Sequence, residues 1–95
     1  MSYIRVKWIH SIPTEPTVIY SELDVDRWEL RKIELYPDGH IGFASATVCA
    51  GGSGLSKEPL PQLSEIAGDP QFEPAEVSKS EFEQVWLKAI TKTQP

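Results

Sequence analysis

Residues 28–44 constrain this chain more than any other stretch. Trp-Glu-Leu-Arg-Lys-Ile-Glu-Leu-Tyr runs into Pro37-Asp38-Gly39, and His-Ile-Gly-Phe-Ala follows. Two β-prone arms around Pro-Asp-Gly spell a hairpin. Proline suits the second position of a type I turn, and glycine supplies the positive φ at its end. Trp28 and Leu30 share one parity, whereas Ile33 and Leu35 share the other. A straight strand cannot bury both pairs on one face, so the spacing predicts a β-bulge or strong twist near Arg31-Lys32. A hairpin this long organises the chain around an antiparallel sheet.

The flanking segments extend that sheet. Residues 3–10 place Ile4, Val6 and Trp8 on one face and Tyr3, Arg5 and Lys7 on the other, the period of a half-buried strand. Pro13 and Pro16 mark a loop, and Val18, Ile19, Tyr20 and Leu23 resume β character. Asp24-Val25-Asp26 supplies turn chemistry, because short carboxylates bond nearby backbone N–H groups. From Cys49 the composition changes to Ala-Gly-Gly-Ser-Gly, read as a mobile loop. Residues 55–76 carry four prolines and read as an irregular strap over the sheet, pinned by Leu63, Ile66 and Phe72. A short helix within residues 60–67, ended by Gly68, fits this strap. Ser78 and Glu81 have capping-box spacing, and Phe82, Val85, Trp86, Ala89 and Ile90 form one helical stripe.

One domain of 95 residues is expected: a β-meander over residues 1–48, a Gly/Pro-rich loop and strap over 49–77, and a helix over 78–92. The fold class is α+β, a three- to four-stranded antiparallel β-meander with a C-terminal amphipathic helix packed on one face. Trp8 and Trp86 are expected to pack on each other in its core.

The formal net charge is -5. Acids outnumber bases in both halves, seven to five over residues 1–54 and seven to four over residues 55–95. A nucleic-acid binder needs a basic footprint to displace phosphate counterions, so no nucleic-acid partner is expected. The start of the chain lacks the apolar run of a signal peptide, and no stretch is long enough to span a bilayer. No membrane association is expected, and the expected compartment is cytoplasmic. A single cysteine, Cys49, permits neither an intramolecular disulfide nor a cysteine-based zinc site, and reads as a small interior hydrophobe.

Catalytic patterns are weak. His10 and His40 have no ligand spacing, and Asp24 with Asp26 lies in a surface turn that would not separate two carboxylate pKa values. Gly51-Gly52-Ser53-Gly54 lacks the Gly-Lys-Ser/Thr of a phosphate loop, and Ser53 lacks a nucleophile elbow. No metal or cofactor is therefore expected, and the expected function is non-enzymatic.

Tyr3-Ile-Arg-Val-Lys-Trp-Ile-His10, Glu15-Pro16, Tyr20-Ser-Glu-Leu-Asp24, Arg31-Lys-Ile-Glu34, Asp38-Gly39 and Glu58-Pro-Leu-Pro61 together resemble a family of small uncharacterised bacterial proteins. It is a domain of unknown function, so the resemblance assigns no residue a role. Small acidic proteins of this kind are also similar, by size, charge and composition, to immunity proteins encoded beside polymorphic bacterial toxins. The resemblance implies a protein-binding module that neutralises a toxin by occluding it. Acidic steering and aromatic anchors would place Glu22, Asp24, Asp26, Trp28 and Asp38 at the contact with a basic toxin domain. The chain itself would be a monomer or a small homo-oligomer. The alternative is a small-ligand sensor or accessory domain, with a concave pocket between sheet and strap.

Overall fold

The structure, a computed structural model, describes residues 1–92. Eight elements follow the chain: β1 (Ser2–Trp8), β2 (Val18–Leu23), β3 (Glu29–Leu35), β4 (Ile41–Ser45), β5 (Cys49–Ala50), α1 (Leu63–Ala67), β6 (Phe72–Glu76) and α2 (Lys79–Lys92). The fold is α+β, and the sheet has six antiparallel strands rather than three or four, in the order β5-β4-β3-β2-β1-β6. Five strands form the meander, and β6 returns to the free side of β1.

Both added strands fall in the segment read as loop and strap. β6 contains Pro74, opposite Val6. The backbone bonds Ile9 N to Gln71 O and Val77 N to Tyr3 O put the bonded pairs on the odd residues of β1. Bonded and non-bonded pairs alternate in an antiparallel ladder, so the nitrogen of Pro74 faces the open edge, where no N–H is needed.

Two cores lie on opposite faces. On one, α2 lays Phe82 and Ala89 against Ile33 and Phe43, with Val85, Trp86 and Ile90 packed around them. Helix α2 starts with one half of the capping box: Glu81 N donates to Ser78 Oγ at 3.0 Å, whereas the Glu81 carboxylate meets Arg5 at 3.4 Å. On the other face, Ile4, Val6 and Leu23 are covered by Leu60, Leu63 and Ile66 of the strap and α1, with Phe72 of β6 packed against them. Trp8 and Trp86 therefore do not meet. Trp8 stacks near Phe72 on the strap face, whereas Trp86 meets Phe43 edge-on under α2. Strand alternation fixes which residues share a face but not which face receives the helix.

The parity switch is a bulge at Leu30. Glu22 pairs with Arg31, but Leu23 pairs with Glu29. Without the extra residue, Glu29 and Arg31 would point the same way. With it, Arg31 faces α2 and Glu29 faces the strap.

The glycine loop is packed rather than free. A Cβ on Gly51, at φ 68°, would lie 2.6 Å from Gly42 Cα and 2.8 Å from Ile41 O. Ser53 is buried and donates to Glu34. Cys49, expected inside, is exposed because β5 is a two-residue edge strand.

Candidate functional site

The register brings three separate segments to one end of the sheet. Ser2 pairs with Leu23, Arg31 with Ser45, and Ala44 with Cys49. Met1, the β2–β3 turn and the β4–β5 turn thus project together. Strands sit about 4.8 Å apart, so β1 to β4 spans about 14 Å. Of the seven large hydrophobics exposed among the described residues, four lie here: Met1, Val25, Trp28 and Val48. Val25 is 86% exposed and Trp28 44%. The concentration at one end separates this patch from ordinary scattered exposure.

The turn that presents Trp28 is tightly determined. Asp24 N donates to Trp28 O and Arg27 N to Asp24 O, both at 3.0 Å. Asp24 Oδ1 accepts from Asp26 N and Trp28 N, both at 2.9 Å. Arg27 takes φ 68°, a left-handed conformation that glycine or asparagine usually fills. Three bonds hold it there. Its Nε donates to Leu60 O at 2.9 Å, a second guanidinium nitrogen donates to Pro61 O at 2.6 Å, and its carbonyl accepts from Leu60 N at 2.8 Å. Arg27 thereby ties the strap to the turn.

The structure separates the five acidic and aromatic candidates. Asp24, Asp26 and Trp28 share this end, with Asp26 and Trp28 exposed. Asp24 is spent on the turn. Glu22 is 7% exposed and faces α2, where Arg31 grips both its oxygens at 2.7 and 3.0 Å. Asp38 lies at the far end of β3, a seven-residue strand of about 23 Å. There it accepts from His40 N at 3.0 Å and meets the His40 ring at 2.5 Å. The backbone bond from His40 holds its carboxyl below the usual range, and the imidazole adds to that. Val25, Met1 and Val48 were not singled out by sequence; only the strand register reveals their neighbourhood.

Arg31 organises the helix face. Besides Glu22 it bonds Glu83 of α2, and its guanidinium lies 4.9 Å from the Phe82 ring and 5.1 Å from Trp86. Hydrogen bonding from Arg31 holds the Glu22 and Glu83 carboxyls below their ordinary values, while the two carboxylates hold the Arg31 guanidinium well above its own. This cluster is structural: it fastens α2 to β2 and β3.

The histidines are also engaged. His10 Nε2–H donates to Pro16 O at 2.8 Å, and Ile12 N donates to Nδ1 at 2.9 Å, so the ring braces the β1–β2 loop. His40 stacks on Tyr36 at 4.0 Å. Among the described residues no three His, Cys, Asp or Glu side chains are grouped to hold a metal ion. No helix among them is long and apolar enough to cross a membrane.

A separate concavity lies under the strap, a cavity of about 350 Å³ between β1, β2 and β3 and the chain from Leu60 to α1. At its floor Glu29 accepts from Ser21 Oγ at 2.8 Å and Ser56 N at 2.8 Å, and pairs with Lys32 Nζ at 3.2 Å. Lys32 also donates to Gly54 O at 3.0 Å.

No curated protein and no solved structure matches this sequence. A family model matches residues 2–91, from the start of β1 to the last turn of α2. The chain therefore belongs to the family described as Domain of unknown function (DUF6881).

Proposed function

We propose that this protein is a non-catalytic protein-binding module of the immunity type, which occludes a toxic effector domain with the end of its sheet. One observation carries the reading: Met1, Val25, Trp28 and Val48 are exposed together at that end, beside Asp24 and Asp26. Apolar anchors rimmed by charge are the usual anatomy of a binding surface. Trp28 has 44% of its surface still to cover. For an aromatic side chain that is on the order of 100 Å², worth about 2–3 kcal/mol when buried. The net charge of -5 supports faster encounter with a basic effector.

Geometry alters which variants test the reading. Changing Asp24 would dismantle the turn, since it holds both Asp26 N and Trp28 N. Asp26 and Trp28 are the informative positions. Co-expression with its toxic effector domain, sought among the neighbouring genes, should restore growth, and purified binding should weaken by roughly thirtyfold in Trp28→Ala. Undiminished protection by a folded Trp28→Ala, Asp26→Lys double variant would remove this interface.

A further inference from the structure

The cavity beneath the strap is distinct from the sheet-end surface and does not depend on it. We propose that it binds a small organic cation with an apolar body, such as an aryl-alkyl amine. At about 350 Å³ it falls at the small end of ligand-pocket sizes. Its walls are apolar: Ile4, Val6, Ile19 and Phe72 on the sheet side, and Leu60 and Ile66 opposite. Such walls take the body of the ligand.

The charges select its head group. Four charged residues line the cavity: Glu29, Lys32, Glu65 and Asp69. Glu29 and Lys32 neutralise each other on the floor at 3.2 Å. Glu65 and Asp69 are exposed and leave the mouth with two uncompensated carboxylates. An anion would meet both without a matching cation, whereas an ammonium would be attracted by both. The floor is spent within the protein: Glu29, whose side chain is 1% exposed, accepts from Ser21 and Ser56 N and pairs with Lys32, so the two carboxylates at the mouth carry the selection.

The walls are fixed by hydrogen bonds within the protein. Arg27 fastens the strap through Leu60 and Pro61, and Asp69 Oδ1 accepts from Gln71 N at 2.9 Å to hold the turn into β6. The concavity is therefore built by the fold and does not require the ligand to shape it.

Three probes of one shape and different charge test the proposal on the full chain: tryptamine, tryptophol and indole-3-propionate. Amide NMR titration should show tryptamine shifting Ile4, Val6, Ile19 and Ile66, with millimolar affinity. Its affinity should exceed that of indole-3-propionate by roughly tenfold or more. Glu65→Gln with Asp69→Asn, which keeps the acceptor for Gln71, should reduce that ratio towards one while leaving tryptophol binding unchanged. Ile19→Phe should fill the space and abolish all three. Equal affinities for the three probes in the unaltered protein would overturn the proposal. So would shifts centred on Val25, Trp28 and Val48, or no saturable shift at all.

Discussion

Replacing Arg31 by Met should be among the most damaging single changes on the helix face, and its cost should depend on pH. Among the described residues Arg31 is the only cation hydrogen-bonded to Glu22, at 2.7 and 3.0 Å, and the Glu22 side chain is 10% exposed. Breaking a fully buried pair by removing one partner costs about 3–5 kcal/mol. The Arg31 side chain is 20% exposed, so solvent reduces this to about 2–4 kcal/mol. The Glu83 arm, 42% exposed, adds at most about 1 kcal/mol. A loss of about 3 kcal/mol should lower Tm by roughly 12–24 °C in a domain of this size.

The pH sign follows from the carboxylates. Glu22 and Glu83 are held below their ordinary pKa by Arg31, so their contribution is complete above the unfolded value near 4.5. It is lost as pH falls through the lower folded value. In Arg31→Met the largest lowering influence on Glu22 is gone, and burial then works against only the Tyr3 hydrogen bond and the Lys79 charge, so protonation relieves the variant as pH falls towards 4. The gap between the two proteins should therefore be widest near pH 7 and shrink to about 1 kcal/mol at pH 4. Adding Glu22→Gln should recover at least half of the loss at pH 7. Urea titrations at both pH values, followed through tryptophan fluorescence, measure all of this. A loss under about 1 kcal/mol at pH 7, or an equal loss at both pH values, would refute the reasoning.

Other outcomes follow from single contacts. Gly51→Ala should destabilise by about 2–4 kcal/mol in urea unfolding, because the new methyl meets Gly42 Cα at 2.6 Å and φ is 68°. Gly39→Ala, with φ 92° but nothing within 4 Å, should cost only about 1–2 kcal/mol. Arg27→Gly should relax the left-handed backbone yet raise hydrogen exchange at Leu60, since the two guanidinium bonds to the strap are lost. Cys49 should react stoichiometrically with a thiol reagent in the folded protein, at a rate little changed by denaturant, because it is exposed.

Much of the fold was legible where periodicity was strong. The stripe Phe82, Val85, Trp86, Ala89 and Ile90 marks α2, and its Ser78–Glu81 cap is the bond seen. The opening hairpin closes as read, with Gly39 N donating to Tyr36 O at 3.0 Å and Gly39 at φ 92°. The parity switch did signal a bulge, displaced to Leu30. β6 was hidden by Pro74, which is permitted only because its nitrogen lies on the open edge. β5 is too short to carry a pattern. Of the site, the turn at Asp24–Trp28 was readable from local chemistry. The burial of Glu22 was not, since it depends on cross-strand register with Arg31. The meeting of Met1, Val25, Trp28 and Val48 likewise exists only once β1 to β5 are aligned. Between sheet and strap the expected concavity is present, but its charged floor and mouth come from residues brought together by the bulge and by α1.

The most direct test of the sheet-end surface is growth rescue against a toxic effector domain that the natural chain neutralises on co-expression. The comparison sets the natural protein against Trp28→Ala with Asp26→Lys, and against Leu87→Glu, which alters an exposed apolar residue of α2 away from that end. With all three proteins folded to similar Tm, the natural chain and Leu87→Glu should protect and the Trp28/Asp26 variant should fail. Equal protection by all three, or loss of protection only with Leu87→Glu, would contradict the account.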